Sequence, residues 1–346
     1  MTRVLMTADA AGGVWAYATE LRAALAAEDV EVTLAVLGPD PPPEDGIAHH
    51  PGRLEWQEDP WEDVAGAGEW LLELAGEVRP DVVHLNGYAH GALEWRRPAL
   101  VVGHSCVPSW YAAVRGEPAP PSWDRYREAV RRGLLAADAV VAPTAAMLAE
   151  LRRHHGLGER GTVIHNGIRP QAVPAVPKEP FVLGAGRLWD EAKALGALDA
   201  AAATTAWPVE LAGDAGGAKA HHARLLGALP RAQLRERMAR AAVFAHPARY
   251  EPFGLAVLEA AAAGCALVLG NIATLRELWE GAALFVAPGD PEGLAAAIDT
   301  LARDEALRAR LGRAAAARSA TYDAARMARA YAGLYRRLAA GRAVAA

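Results

Sequence analysis

Short apolar runs alternate with longer stretches of helical period along the whole chain. Residues 4–6 are apolar, a helical pattern follows from about 14 to 28, and 32–37 is apolar again. Residues 82–85, 100–102 and 139–141 repeat the short type, each bounded by turn or polar residues, with His84 the one polar interior position. Near-continuous apolar strands of this kind are buried on both faces, as in parallel sheets covered by helices. Between Ile168 and Phe181 stand four prolines, which deny both helix and sheet hydrogen bonding. The alternation then restarts: strands at 181–183, 209–211, 243–245, 266–269 and 284–286, with a helix from about 191 to 204. From Pro291 onward the pattern is almost wholly helical, and Tyr322-Asp323 opens a last amphipathic helix through Tyr335. The pattern predicts an α/β protein of two Rossmann-like, doubly wound domains, with ligands at the strand carboxyl ends and a shared cleft as the default site.

Composition narrows the class. At 346 residues with 52% hydrophobic and 22% charged content, the chain has room for two cored domains of roughly 150 residues each, and disorder or fibre is excluded. Lys plus Arg is 36 against 41 Asp plus Glu, which argues against a dedicated nucleic-acid binder or a basic membrane-surface protein. Cys106 and Cys265 are the only cysteines; they form no disulfide framework and fit a reducing, cytoplasmic setting. The first apolar run is too short for a secretory signal. The longest, 253–269, is interrupted by Glu259 and Gly264, so it reads as a helix and a buried strand, with no membrane span expected. Only three lysines occur, Lys178, Lys193 and Lys219, against 33 arginines. Coding bias explains the scarcity, and each surviving lysine then asks for a reason.

Three constellations could carry chemistry. In His246-Pro247-Ala248-Arg249-Tyr250-Glu251-Pro252-Phe253-Gly254-Leu255, a helix beginning near Gly254 leaves Glu251 in the preceding loop and Glu259 inside the helix among apolar neighbours, where an unpaired carboxylate would be costly. The amides of Phe253, Gly254 and Leu255 lack intrahelical acceptors and form a seat for phosphate or a sugar hydroxyl. Spacing alone leaves a loop Glu and a groove-facing helix Glu as the alternative. In Gly184-Ala185-Gly186-Arg187-Leu188-Trp189-Asp190-Glu191-Ala192-Lys193, glycines follow a strand while Arg187 and Lys193 offer a diphosphate clamp; a glycine turn with solvated charges remains open. The third, Asp9-Ala10-Ala11-Gly12-Gly13, lacks the full dinucleotide fingerprint and also fits a plain strand-to-helix turn. Gly213-Asp214 closes another strand, and His84 and His104 stand at strand ends. The pairs His49-His50, His154-His155 and His221-His222 read as surface residues, since adjacent positions do not share a helix face.

In this order and spacing the motifs resemble the family-4 retaining glycosyltransferases of the GT-B fold, and the resemblance runs from Met1 into the last helix. It rests on Gly12-Gly13, Asp81-Val82-Val83-His84, Val101-Val102-Gly103-His104, Asp138-Ala139-Val140-Val141, Ile164-His165-Asn166-Gly167-Ile168, Gly186-Arg187-Leu188 with Lys193, Gly213-Asp214, and Glu251-Pro252-Phe253-Gly254 with Glu259. The resemblance implies an acceptor-binding domain over 1–170, joined by the last helix at about 325–346, and a donor-binding domain over 171–324. Arg187 and Lys193 would hold the donor diphosphate and Glu259 the nucleotide ribose. Glu251, with Pro252, Phe253, Gly254 and Leu255, would hold the transferred sugar. Gly12, Gly13, Gly186 and Gly213 would approach the donor closely, Leu229 would flank the base, and His104 would lie beside the reacting carbon. Glu251, His104, Arg187 and Lys193 thus form the catalytic set.

The family works without a tightly bound metal or other cofactor, so positive groups must stabilise the leaving diphosphate. Retention by double displacement needs a carboxylate nucleophile, and the family gives Glu251 a sugar-binding role, which favours a front-face, oxocarbenium-like reaction. Departures occur at Ala248, at Gly264-Cys265-Ala266-Leu267-Val268 and at Asn271-Ile272-Ala273-Thr274-Leu275; they touch the sugar pocket more than the nucleotide clamp. The first half is rich in Trp, and an aromatic, Pro-rich segment from Ser109 to Tyr126 follows the His104 strand. His84, Asn86, Trp110 and Tyr111 are the acceptor candidates, for a small-molecule, saccharide or natural-product acceptor rather than a lipid. A nucleotide-sugar epimerase and a non-catalytic nucleotide-sugar-binding protein are the competing readings.

Overall fold

The computed structural model describes residues 1–10, 12–42, 44–170 and 176–343; five residues of the proline-rich stretch, 171–175, and residues 344–346 lie outside the described residues. The chain divides into two compact units, one of Met1–Ala112, Gly116–Arg169 and the segment from Ala324 onward, the other of Ala113–Arg115 and Pro170–Asp323.

The first unit holds strands β1 (Thr2–Asp9), β2 (Val30–Leu37), β3 (Ala48–His50), β4 (Val82–Leu85), β5 (Ala99–Val102), β6 (Ala139–Ala142) and β7 (Thr162–Val163). They form one parallel sheet in the order β3-β2-β1-β4-β5-β6-β7. Its helices are α1 (Gly12–Leu25), α2 (Trp61–Val78), α3 (Val107–Val114), α4 (Asp124–Ala136) and α5 (Ala145–His155). β4 and β5 are buried at every position, as their unbroken apolar sequences require. Leu5, Val83, Leu85, Val101, Val130, Leu134 and Leu151 form the centre of one core. Edge strands β3 and β7 carry no long apolar run, which is why the sequence pattern did not reveal them.

The second unit repeats the design with β8 (Glu179–Ala185), β9 (Val209–Ala212), β10 (Arg224–Gly227), β11 (Ala241–His246), β12 (Ala266–Gly270) and β13 (Ala283–Val286), parallel in the order β10-β9-β8-β11-β12-β13. Its helices are α6 (Leu195–Ala201), α7 (Arg231–Arg240), α8 (Leu255–Ala262), α9 (Ala273–Trp279), α10 (Pro291–Arg303) and α11 (Glu305–Ser319). α10 and α11 start on Asp290 and Asp304, whose side chains accept from Gly293 N–H and Leu307 N–H, the usual satisfaction of a helix's first donors. The helix expected over 191–204 is broken. Glu191–Lys193 forms a 3₁₀ turn, Ala194 adopts a left-handed backbone (φ 50°), and α6 starts after it.

The final helix, α12 (Ala324–Ala343), belongs to the first unit. Chain exit and return are joined there: Ala324 N–H donates to the Ile168 carbonyl (3.0 Å), and Arg169 pairs with buried Glu20 of α1 (2.9 Å). Tyr331 and Tyr335 of α12 are fully buried. Among the described residues no helix is long and apolar enough to cross a membrane.

Candidate functional site

In both sheets the strand order reverses between two central neighbours, β1 and β4 in the first unit and β8 and β11 in the second. Beyond the carboxyl ends of such strands lies the crevice that α/β sheets use for ligands. In the second unit β8 runs into Gly186-Arg187 and β11 into the loop from Pro247 to Gly254. The loops after β8 and β9 pack backbone on backbone. A Cβ on Gly213 would fall 1.8 Å from the Gly186 carbonyl oxygen, and Leu188 N–H donates to the Asp214 carbonyl (2.9 Å).

The 3₁₀ turn that ends in Lys193 is capped by Asp190, which accepts from Ala192 N–H (3.0 Å). The Ala192 carbonyl in turn accepts from Arg249 N–H (2.8 Å) and Tyr250 N–H (3.3 Å), pinning the β11 loop against the turn. As a result Lys193 Nζ donates to Glu251 Oε2 at 2.8 Å and His246 Nε2 donates to the same oxygen at 3.0 Å. Burial alone would raise the Glu251 carboxyl, but the Lys193 charge and the His246 hydrogen bond outweigh it and hold the group well below the usual carboxylate range. Thr274 Oγ1 donates to the Glu251 carbonyl and fixes the backbone.

Arg187 lies on the neighbouring loop. Its guanidinium pairs with Asp190 (2.8 Å) and stands 5.1 Å from the centre of the Trp189 ring, whose Nε1–H donates to Asp214 (2.9 Å). Glu259, inside α8, accepts from Arg231 of α7 at 2.9 and 3.2 Å, with Arg235 at 4.0 Å; this is the partner its burial demanded. Gly254 precedes α8 with a left-handed backbone (φ 89°), a conformation that costs other residues roughly 1–2 kcal/mol. The Phe253 ring is buried against Tyr322 (5.8 Å, edge-on), so only its backbone is available to a ligand. Leu229 lines a cavity of about 410 Å³ with Arg224, Leu226, Gln233, Glu236, Arg237 and Arg240.

In the first unit Gly12 and Gly13 open α1 just past β1; Ala11 of that motif lies outside the described residues. His84 is fully buried, its Nδ1 2.7 Å from the Tyr335 hydroxyl and its Nε2 3.2 Å from Asn86 Oδ1. It touches no solvent, so the direct acceptor contact expected of it does not fit its burial. His104 Nε2 lies 2.8 Å from the same Asn86 oxygen. Burial lowers His84 to about 3, with His104 adding to the effect, and lowers His104 to about 4. Trp110 and Tyr111 belong to an aromatic chain: Trp110 meets Tyr111 edge-on at 5.3 Å, and Trp123 Nε1–H donates to the Tyr111 hydroxyl (3.3 Å). Both are partly buried.

One sequence reading needs correction, and the question raised by Lys178 is answered. His155 is buried, not superficial (2% exposed), because it sits on the core face of the last turn of α5. Lys178 is more than a by-product of base composition. Its ammonium donates to the carbonyls of Ala263 (2.7 Å) and Met238 (3.1 Å), at the ends of α8 and α7, with Cys265 Sγ at 3.6 Å. The sequence also left His246, Asp190, Trp189, Arg231 and Tyr335 without roles. A strand-end His before Pro and an Asp three residues after Arg187 were the available signals; Arg231 and Tyr335 offered none, since tertiary packing alone brings them in. Among the described residues no three His, Cys, Asp or Glu side chains gather as a metal-ligand set.

Comparison with known proteins bears on the family and the fold. Residues 11–172 match the family model of Glycosyltransferase Family 4, and residues 171–318 match that of Glycosyl transferases group 1. A glycogen synthase of Mycobacterium tuberculosis is 32% identical over 266 residues, 68% of this chain, and the match spans 64% of that protein's length. Sucrose-phosphate synthase from Thermosynechococcus elongatus has the same fold (TM-score 0.80, 22% identity, 99% of this chain and 100% of that one). So does Anabaena HepE, solved in complex with UDP and glucose (TM-score 0.75, 18% identity, 98% and 100%).

Proposed function

Because the chain belongs to the family-4 glycosyltransferases of the GT-B fold, we propose that it moves a sugar from a nucleotide-diphosphate sugar to an acceptor hydroxyl, with retention of configuration and no resident metal. The observation that carries this reading is the joining of Lys193, Glu251 and His246 beside Arg187 in the second unit. Lys193 and Arg187 supply the positive charge that a departing diphosphate needs, preorganised by Glu251 and Asp190 before any ligand arrives. The first N–H groups of α8 add donors at the same loop. The HepE complexes with UDP and with UDP-glucose support a donor of that chemical class.

The second unit is then the donor side. Gly186 and Gly213 allow close backbone approach, Glu259 holds the ribose in exchange for part of its bond to Arg231, and backbone around Leu229 flanks the base. Glu251 and the backbone of Pro252, Phe253, Gly254 and Leu255 hold the sugar. In the first unit Gly12 and Gly13 are assigned to the diphosphate, His104 to the transferred sugar, and Trp110 and Tyr111 to the acceptor.

The state of Glu251 supports a front-face course. A double displacement requires an ionised carboxylate aimed at the anomeric carbon, whereas Glu251 is tied through Oε2 to Lys193 and His246 and is assigned to holding the sugar. In the proposed reaction the bond from the anomeric carbon to the diphosphate oxygen breaks, the acceptor oxygen bonds on the same face, and the acceptor proton passes to the departing diphosphate. The test is proton NMR of the product formed from a donor of known anomeric configuration, recorded before mutarotation. Unchanged configuration is expected; inversion would overturn the mechanism.

A further inference from the structure

The first unit contains a chain of hydrogen bonds whose direction is fixed from one end. Asn86 Nδ2 lies 2.6 Å from the Thr7 carbonyl, and Asn86 N–H donates to Thr7 Oγ1 at 2.9 Å. A carbonyl only accepts, so the amide nitrogen faces Thr7 and the amide oxygen faces the opposite way. That oxygen is 2.8 Å from His104 Nε2 and 3.2 Å from His84 Nε2. An oxygen without hydrogen makes favourable bonds to both rings only if each carries its proton on Nε2.

His84 Nδ1 then bears a lone pair, and the Tyr335 hydroxyl of α12 donates to it at 2.7 Å. The Tyr17 ring packs edge-on against His104 with centroids 4.6 Å apart, and its hydroxyl stands 3.4 Å from His84 Nε2. Among the described residues the one hydrogen bond of the His104 ring is that of Nε2, so Nδ1 has no partner, and His104 is only partly buried. Burial keeps both rings unprotonated at neutral pH. What the network leaves open is one acceptor lone pair.

We propose that Asn86, and Tyr335 acting through His84, are positioning residues that hold His104 as its Nε2–H tautomer, so that Nδ1 accepts a hydrogen bond from a hydroxyl of the bound sugar substrate. The inference rests on the reading above that assigns His104 to the transferred sugar. It gives His104 the opposite polarity from a cation: it orients a hydroxyl and adds no charge against the diphosphate. It also gives the return of α12 to the first unit a purpose beyond packing.

The experiment combines two-bond proton–nitrogen NMR of histidine-labelled protein with transfer kinetics on the wild type, Asn86→Ala, Tyr335→Phe, His104→Ala and the double variant Asn86→Ala/His104→Ala. In the wild type without ligand, His104 is expected as a single Nε2–H tautomer, and Asn86→Ala should convert it to a mixture. Losing an oriented neutral hydrogen bond corresponds to about tenfold in kcat/KM, expected for Asn86→Ala and, to a smaller extent, for Tyr335→Phe. The double variant should be no slower than His104→Ala alone, because coupled residues are not additive. An Nδ1–H tautomer in the wild type overturns the proposal, as do additive losses in the double variant. If Asn86→Ala does not fold, the wild-type spectrum carries the test by itself, a single Nε2–H tautomer of His104 supporting the proposal and an Nδ1–H tautomer overturning it. Absence of sugar transfer by the wild type would instead count against the functional reading, while the tautomer spectrum still reports on the network.

Discussion

At the scale of single residues, the site is organised by what burial costs a charge. Glu251 and Glu259 both sit where a bare carboxylate would be expensive; the Lys193 ammonium and the His246 Nε2–H donor meet the first, and the Arg231 guanidinium meets the second. In the proposed function those charges are the ones shared with the donor diphosphate. In the first unit the solution is the reverse, with His84 buried neutral. Its pKa lies near 3 in the folded chain against about 6.5 in an unfolded one. Between those values the unfolded state binds more protons, so stability is lost as pH falls from about 6.5 toward 3. Urea midpoints measured from pH 7 to pH 4 should fall across that window, and the fall should be shallower in His84→Gln. An equal slope in the variant would assign the acid sensitivity elsewhere.

Elements place these residues by contacts that have little tolerance. The loops after β8 and β9 approach so closely that Gly213 has room for no side chain: its Cβ would meet the Gly186 carbonyl, and its φ is 141°. Gly213→Ala should therefore cost roughly 3 kcal/mol of stability, read as a shift in urea midpoint, and should weaken ligand binding at Arg187 by moving its loop. Lys178 does comparable work at the helix ends, where its ammonium meets the last carbonyls of α7 and α8. Since the side chain is partly solvated, Lys178→Met should cost only about 1 kcal/mol and leave ligand binding unchanged. A loss of ligand binding with no change in stability would place Lys178 in the site instead.

The element scale also shows what a sequence can reveal. Strands buried on both faces announce themselves, so β4 at Val82–Leu85 and β12 at Ala266–Gly270 were legible almost to the residue. The edge strands β3, β7 and β10 were not, because exposed edges carry polar residues such as His49, Thr162 and Arg224. The break at Ala194 was hidden for another reason. Alanine is a good helix former, and the left-handed turn there is imposed by the β11 loop hydrogen-bonding to Ala192. Of the site, the motif residues Arg187, Lys193, Glu251 and Glu259 were readable, whereas Arg231, far from Glu259 in sequence, reaches it only through the packing of α7 on α8.

At the scale of the whole molecule, one plan is used twice. Each unit is a parallel sheet whose order reverses at its centre, and each presents its chemistry beyond the carboxyl ends of the strands flanking that reversal. The plan is asymmetric in charge: the second unit gathers Arg187, Lys193, Arg231 and Arg235, while the first places Asn86 and neutral His104 beyond its strand ends, over the buried His84. The central claim is that Lys193 and its neighbours bind the diphosphate of a nucleotide sugar. Its most direct test is ligand-induced thermal stabilisation by uridine, guanosine, adenosine and thymidine diphosphate sugars, compared between the wild type and Lys193→Ala, each against its own ligand-free melting temperature. At least one donor should stabilise the wild type, and that stabilisation should largely vanish in the variant; equal stabilisation of both proteins, or none by any donor, would contradict the claim.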